Sequence, residues 1–180
     1  QSGVKMTNEP PAGLRASLKN TFYNMTDESL NATGKPKKYK RLFFGLAFFH
    51  AVVIERKKYG ALGWNIPYAF NETDLAISDS QLKMYLDQYD EVPFDVLNML
   101  TSLINYGGRV TDDKDIRTVD IILRGYYHPN SLVDGSNFSN SGVYKCPDVD
   151  DEHPLECYNR YIDSLPIVPD PEVFSMHKNA

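Results

Sequence analysis

Most of the patterns by which a sequence announces chemistry are missing here. There is no GxxxxGK[ST] phosphate loop, no GxGxxG turn, no HExxH helix and no GxSxG elbow. The four histidines, His50, His128, His153 and His177, form no pair at helical or metal-ligand spacing. Cysteine is scarce: Cys146 and Cys157 make neither a CxxC nor a zinc spacing, and they read as a reduced intracellular pair rather than a disulfide scaffold. A basic excess is lacking too, since the net charge of −5 argues against a nucleic-acid-binding surface. No secretory leader is visible, so the sequons at Asn24, Asn31, Asn71 and Asn137 read as fortuitous. The sequence does not open on Met and reads as part of a longer polypeptide. A bilayer span needs about 20 apolar residues, and the best candidate, residues 42–54, is shorter and contains Gly45 and His50.

What is present suits a core. The 180 residues are 42% hydrophobic and 24% charged, enough for one globular domain. Residues 42–54, with Phe43, Phe44, Phe48, Phe49 and several Leu and Val, are apolar on every helical face, which predicts a helix buried all round. Arg56, Lys57 and Lys58 then complement its C-terminal dipole, and Gly60 suits an αL stop. Before it runs Lys35-Pro36-Lys37-Lys38-Tyr39-Lys40-Arg41, whose charges sit at the wrong end for the dipole. That run is read as a solvated lead-in, with contact to an acidic partner as the alternative. Trp64, the only tryptophan, is expected to pin the following loop to the core.

Further helices are predicted from Gly13 to about Met25, from an Asn71 cap with Asp74 at the third position, and from Pro93 to residues 105–108. The Pro93 helix should bury Phe94, Leu97, Leu100 and Ile104. Thr111 or Asp112 caps another, burying Ile116, Val119, Leu123 and Tyr126. Residues 26–33 read as a polar link, residues 129–147 as a long loop or a small hairpin around Phe138 and Tyr144, and a last helix runs from Pro154 to about Leu165. Residues 3–7 look like a strand whose sheet lies elsewhere. The expected class is all-α, with a short N-terminal strand remnant and an extended C-terminal tail.

Each candidate site has a plainer reading beside it. His50 fits a hydrogen-bonded core histidine better than a catalyst, and a hydrolase using His50 or His128 has only scattered residues behind it. The acidic run 148–153 and Asp112, Asp113 and Asp115 look briefly like calcium loops, yet fit a surface turn and a helix N-terminus better. Arg109, after Gly107 and Gly108, could reach a nucleotide phosphate or pair with Asp112 or Asp115, and the pairing is preferred. No reaction can be assembled from these residues.

Four separated blocks carry a resemblance: VKMTNEPPAGLRASL, FFHAVVIERKKYGALGWNIPYAFNETDL, INYGGRVTDDKD and PEVFSMHKNA. Together they resemble the dynein heavy chain at the end of its sixth AAA+ module, with wording closer to axonemal than to cytoplasmic members. The sequence departs from the family wording at Ile54, Ala61, Lys114, Ile116 and Ser175, while YGGR is kept. The resemblance implies an AAA+ lid: residues 1–12 as the last strand and hinge of the large subdomain, 13–166 as the helical lid, and 167–180 as an exit toward the C-terminal domain. It gives Phe48, Phe49, His50, Trp64, Tyr106, Gly107, Gly108, Arg109 and Asp112 structural roles, with no cofactor in this fragment and ATP with Mg in other modules. Implied partners are neighbouring modules and the C-terminal domain of the same chain, microtubules through the motor, and dynein intermediate and light chains. No nucleic acid or membrane is implied, and the implied place is the cytoskeleton of a cilium or flagellum. The rival is a free-standing adaptor that binds an acidic protein through residues 35–41.

Overall fold

The computed structural model describes residues 13–169 and 171–174. The strand and hinge expected at residues 1–12 lie outside them, as do residues 175–180. Among the described residues the fold is all-α, and the only β pairing is one antiparallel bridge between Asn137 and Lys145. Helices α1 (Leu14–Phe22), α2 (Asp27–Leu30), α3 (Pro36–Glu55), α4 (Glu72–Gln88), α5 (Phe94–Met99), α6 (Asp113–Tyr126) and α7 (Pro154–Ser164) follow in order, with 3-10 and π-helical pieces between them.

Helix α3 is the axis of the molecule. Fifteen of its 20 residues are buried, because α1, α4 and α6 pack on different sides of it. Phe44 stacks on Tyr158 of α7 at 5.1 Å, and Phe48 meets Tyr126 of α6 at 4.9 Å and Phe138 at 5.1 Å. Phe138 belongs to the expected hairpin, in which its N–H donates to the Tyr144 carbonyl at 2.7 Å. That hairpin and α7 both set aromatic rings against α3.

The basic run is not a lead-in. Pro36 is the first residue of α3, and residues 36–41 form its opening turns. Lys40 is fully buried, donating to Asn31 Oδ1 at 2.5 Å and pairing with Asp151 Oδ1 at 3.1 Å. Arg41 forks onto Asp134 at 2.8 and 3.2 Å. Lys35 donates to the carbonyls of Leu86 and Tyr89, and Lys38 to that of Asp90, where they cap the C-terminal end of α4. The acidic partner is therefore within the chain, which supplies Asp134 and Asp151 from late loops.

The polar link at 26–33 contains α2, started by a reciprocal Thr26–Ser29 capping box. After Glu55 the helix tightens into a 3-10 stretch, Arg56–Leu62, broken at Gly60, whose φ 56° and ψ −131° are not the αL stop expected there. Asn71 caps α4 and Asp74 returns the bond to the Asn71 N–H, as its sequence predicts.

Helix α5 runs on into a π-helical stretch, Leu100–Tyr106, and a 3-10 turn, Gly107–Arg109. The wider turn shifts the register, so the expected face fails beyond Leu97. Ile104 is 56% exposed, while Thr101, Ser102 and Tyr106 are buried instead. A Cβ at position 107 would lie 2.4 Å from the Ser102 carbonyl oxygen, so only glycine fits where the chain closes on itself.

Candidate functional site: a polar seam around the core helix

The interior of α3 presents one histidine, and α5's π-helical continuation brings Tyr106 to it. The Tyr106 hydroxyl lies 2.7 Å from His50 Nδ1, with both residues buried. Burial pushes the Tyr106 hydroxyl well above its ordinary value, so it keeps its proton and can donate to Nδ1. With Nδ1 accepting, we assign the imidazole N–H to Nε2, which faces Glu72 Oε1 at 3.8 Å. The Glu72 carboxyl is held below the usual carboxylate range, chiefly by this approach of His50. Phe49 meets the Tyr106 ring edge-on at 4.9 Å.

The second part of the seam joins α4 to the turn before α6. Arg109 Nε donates to both Asp74 oxygens, at 3.1 and 2.9 Å. Asp74 is buried and also serves the α4 cap, so one carboxylate ends a helix and anchors an arginine. Arg109 thus pairs with neither Asp112 nor Asp115. Asp112 is the N-cap of α6, accepting from the Lys114 and Asp115 N–H groups and from Asn65 Nδ2 at 3.0 Å. Its carboxyl is held below the usual range, first by Asn65. Asp115 is buried and gathers the backbone N–H groups of Asn65 and Ile66 and the Tyr68 hydroxyl at 2.8 Å.

Trp64 does pin the loop: its indole N–H donates to the Val53 carbonyl at 3.0 Å. The buried Arg56 guanidinium lies over its ring, 4.9 Å from the centroid. Arg56 also donates to the Gly63 carbonyl at 3.0 Å and to that of Phe174. Next to it, the buried Glu55 accepts from the Gly13 N–H at 2.9 Å and from Lys58. The tail segment Pro171–Phe174 is a 3-10 turn with Val173 and Phe174 buried, and the Tyr126 hydroxyl donates to the Val173 carbonyl at 2.6 Å.

Of the residues singled out from sequence, His50, Phe49 and Tyr106 touch directly, and Phe70 bridges Trp64 to Tyr106 at 5.8 and 5.6 Å. Phe48 lies on the opposite side of α3, against Tyr126 and Phe138. Gly107 is held by its close approach to Ser102, whereas a Cβ at Gly108 meets nothing within 4 Å. Sequence reasoning missed Asp74 as the partner of Arg109, the gathering role of Asp115, and the Glu55–Arg56 pair. Two charges at the end of an apolar helix were the available signal for that pair.

The seam orders backbone more than it exposes chemistry. Asp74, Asp112 and Asp115 each face N–H donors, the arrangement of a brace. Among the described residues no three or more His, Cys, Asp or Glu side chains are grouped as for a metal ion, and no helix is long and apolar enough to cross a membrane. The family model for the dynein heavy chain AAA lid domain matches residues 39–180, from the second turn of α3 through the tail. Over the whole chain the sequence is 47% identical to mouse (Mus musculus) dynein axonemal heavy chain 3 and 43% identical to human (Homo sapiens) dynein axonemal heavy chain 6. Over 99% of the chain it is 45% identical to rat (Rattus norvegicus) dynein axonemal heavy chain 12. The chain spans 4% of the length of the first two relatives and 6% of the third. A helical bundle closed around one buried helix, with a family match over most of its length, places this chain in the dynein heavy chain AAA lid family.

Proposed function

We propose that this chain is the non-catalytic lid of the sixth AAA+ module of an axonemal dynein heavy chain. In that role it helps close the ring in which ATP hydrolysis by other modules drives minus-end-directed movement along microtubules. The observation that carries the reading is how α1, α4, α6 and the tail are all tied to α3 by buried aromatic and charged contacts. Such a bundle moves as one rigid body and can pass a displacement from one neighbour to the next. Arg109, the side chain that the sequence offered for a nucleotide phosphate, spends its Nε on Asp74.

On this reading ATP and Mg belong to other modules of the parent chain. The partners are the neighbouring modules and C-terminal domain of that chain, with microtubules and the intermediate and light chains met through the whole motor. The location is the axoneme of a cilium or flagellum. Isothermal titration of the chain with ATP and Mg should give no saturable heat at micromolar concentrations, and saturable binding there would sink the reading. In the intact motor, variants that soften α3, such as Phe48→Ala, should slow microtubule gliding more than they slow ATP turnover. The adaptor alternative loses ground because Lys35, Lys38, Lys40 and Arg41 are engaged within the chain.

A further inference from the structure

Between α6 and the π-helical stretch lies a groove of about 460 Å³ with an apolar floor of Met99, Leu103, Ile116 and Ile121. Arg117, Asp120 and Arg124 form its rim. Met99, Leu103 and Ile121 are 45%, 48% and 64% exposed. On one wall the π turn resets the register, admitting Ser102 and Tyr106 to the interior and leaving Leu103 exposed. On the other wall Lys114, Arg117, Ile121 and Arg124 follow one another at helical spacing, making a basic stripe with one apolar residue in it.

We propose that this groove seats an amphipathic, acid-bearing helix supplied by another part of the same polypeptide. Two ridged helical walls with an apolar floor are shaped for a third helix, whose apolar residues at i, i+3 and i+4 fill the groove. The charges specify its flank. Asp120 is occupied by Arg124 at 3.0 Å and by the Ser102 hydroxyl at 3.1 Å. Arg117 is exposed and has no ion pair among the described residues, which leaves it to meet an incoming carboxylate.

The extent of the face selects the source. Seven residues line the groove, against the roughly 20–30 a side that a stable complex between separate molecules brings together. A tethered segment needs far less, because the linkage sets a high effective concentration. The chain spans only 4% of the length of its relatives, so a parent of that length has ample sequence to supply it. This inference rests on the lid reading only in assuming such a parent.

The test is site-specific photocrosslinking in the intact heavy chain, with a benzophenone amino acid placed at position 103 or 121 and, as the control, at position 23. Tyr23 is 83% exposed at the end of α1 and does not line the groove. Positions 103 and 121 should both link to one helical stretch of the same polypeptide that carries Asp or Glu beside its apolar residues, and position 23 should not. Arg117→Glu should lower that yield about fivefold, the worth of one surface charge pair, and Arg117→Lys should retain it. Links to another polypeptide, to a second copy, or to nothing would overturn the inference. The lid reading fails separately, by nucleotide binding to the isolated chain.

Discussion

Gly45 sits in the middle of the most apolar helix of the chain, where helix propensity alone would favour almost any other residue. Replacing it with alanine should gain up to about 1 kcal/mol from propensity. Here the new methyl would lie 2.3 Å from the Tyr126 carbonyl oxygen and 3.3 Å from its carbon. Backbone cannot swing aside as a flexible side chain can. Reaching ordinary contact moves α3 and α6 apart by on the order of 1 Å, at an overpacking cost of about 1–3 kcal/mol. The same carbonyl accepts the Ser131 hydroxyl at 2.5 Å, and straining that bond adds about 1 kcal/mol. The losses exceed the gain, so Gly45→Ala should destabilise by about 1–3 kcal/mol and lower Tm by roughly 3–10 °C. Gly125 in α6 is the internal control, because a Cβ there meets nothing within 4 Å. Gly125→Ala should hold or raise Tm by about 1–3 °C. Thermal melts of the two variants followed by circular dichroism, with urea titrations for ΔG, make the comparison. A Gly45→Ala protein as stable as the wild type would refute the claim that the Tyr126 carbonyl fixes the α3–α6 distance.

Tyr106→Phe removes the partner of His50 Nδ1 without opening a cavity, and should cost about 1–3 kcal/mol in urea unfolding for the orphaned buried nitrogen. Asp151 has its carboxyl held below the usual range, chiefly by Lys40. A depressed carboxylate contributes stability that is present above its unfolded value, about 3.9, and is lost as pH falls through the folded one. Stability should therefore decline below about pH 4, and more shallowly in Asp151→Asn, as pH-dependent melts would reveal. Phe174 is fully buried against Tyr59, with ring centroids 5.1 Å apart. Phe174→Ala should cost about 3–5 kcal/mol if the tail is integral to the bundle, and an unchanged melt would show the tail to be a mere appendage.

How much of this was legible in the sequence depends on how far apart the partners lie. The α4 cap could be read because Asn71 and Asp74 are three residues apart, and the inward face of α6 because Val119, Leu123 and Tyr126 keep their spacing. Burial of α3 was legible because its apolar character is continuous. The register of the α5 continuation was not, since a π turn is chosen by the closure of Gly107 on Ser102 and leaves no periodic trace. The charges misled most. Lys40 and Arg41 look like solvated cations until Asp134 and Asp151 arrive from loops some 90 to 110 residues later. Arg109 found a carboxylate 35 residues upstream rather than those beside it. Local rules price a charge by its neighbours in sequence, whereas burial is settled by neighbours in space.

The consecutive residues Glu55 and Arg56 hold the first and last described stretches of the chain, one through the Gly13 N–H and the other through the Phe174 carbonyl. Tension applied between those stretches would converge on a single dipeptide at the end of α3. Its resistance there would be a few polar bonds and the buried Phe174 ring, while the rings packed on Phe44 and Phe48 stayed unloaded. A bundle fastened in this way opens at its clasp before it stretches, so a pull that frees the ends leaves the body intact to be refastened.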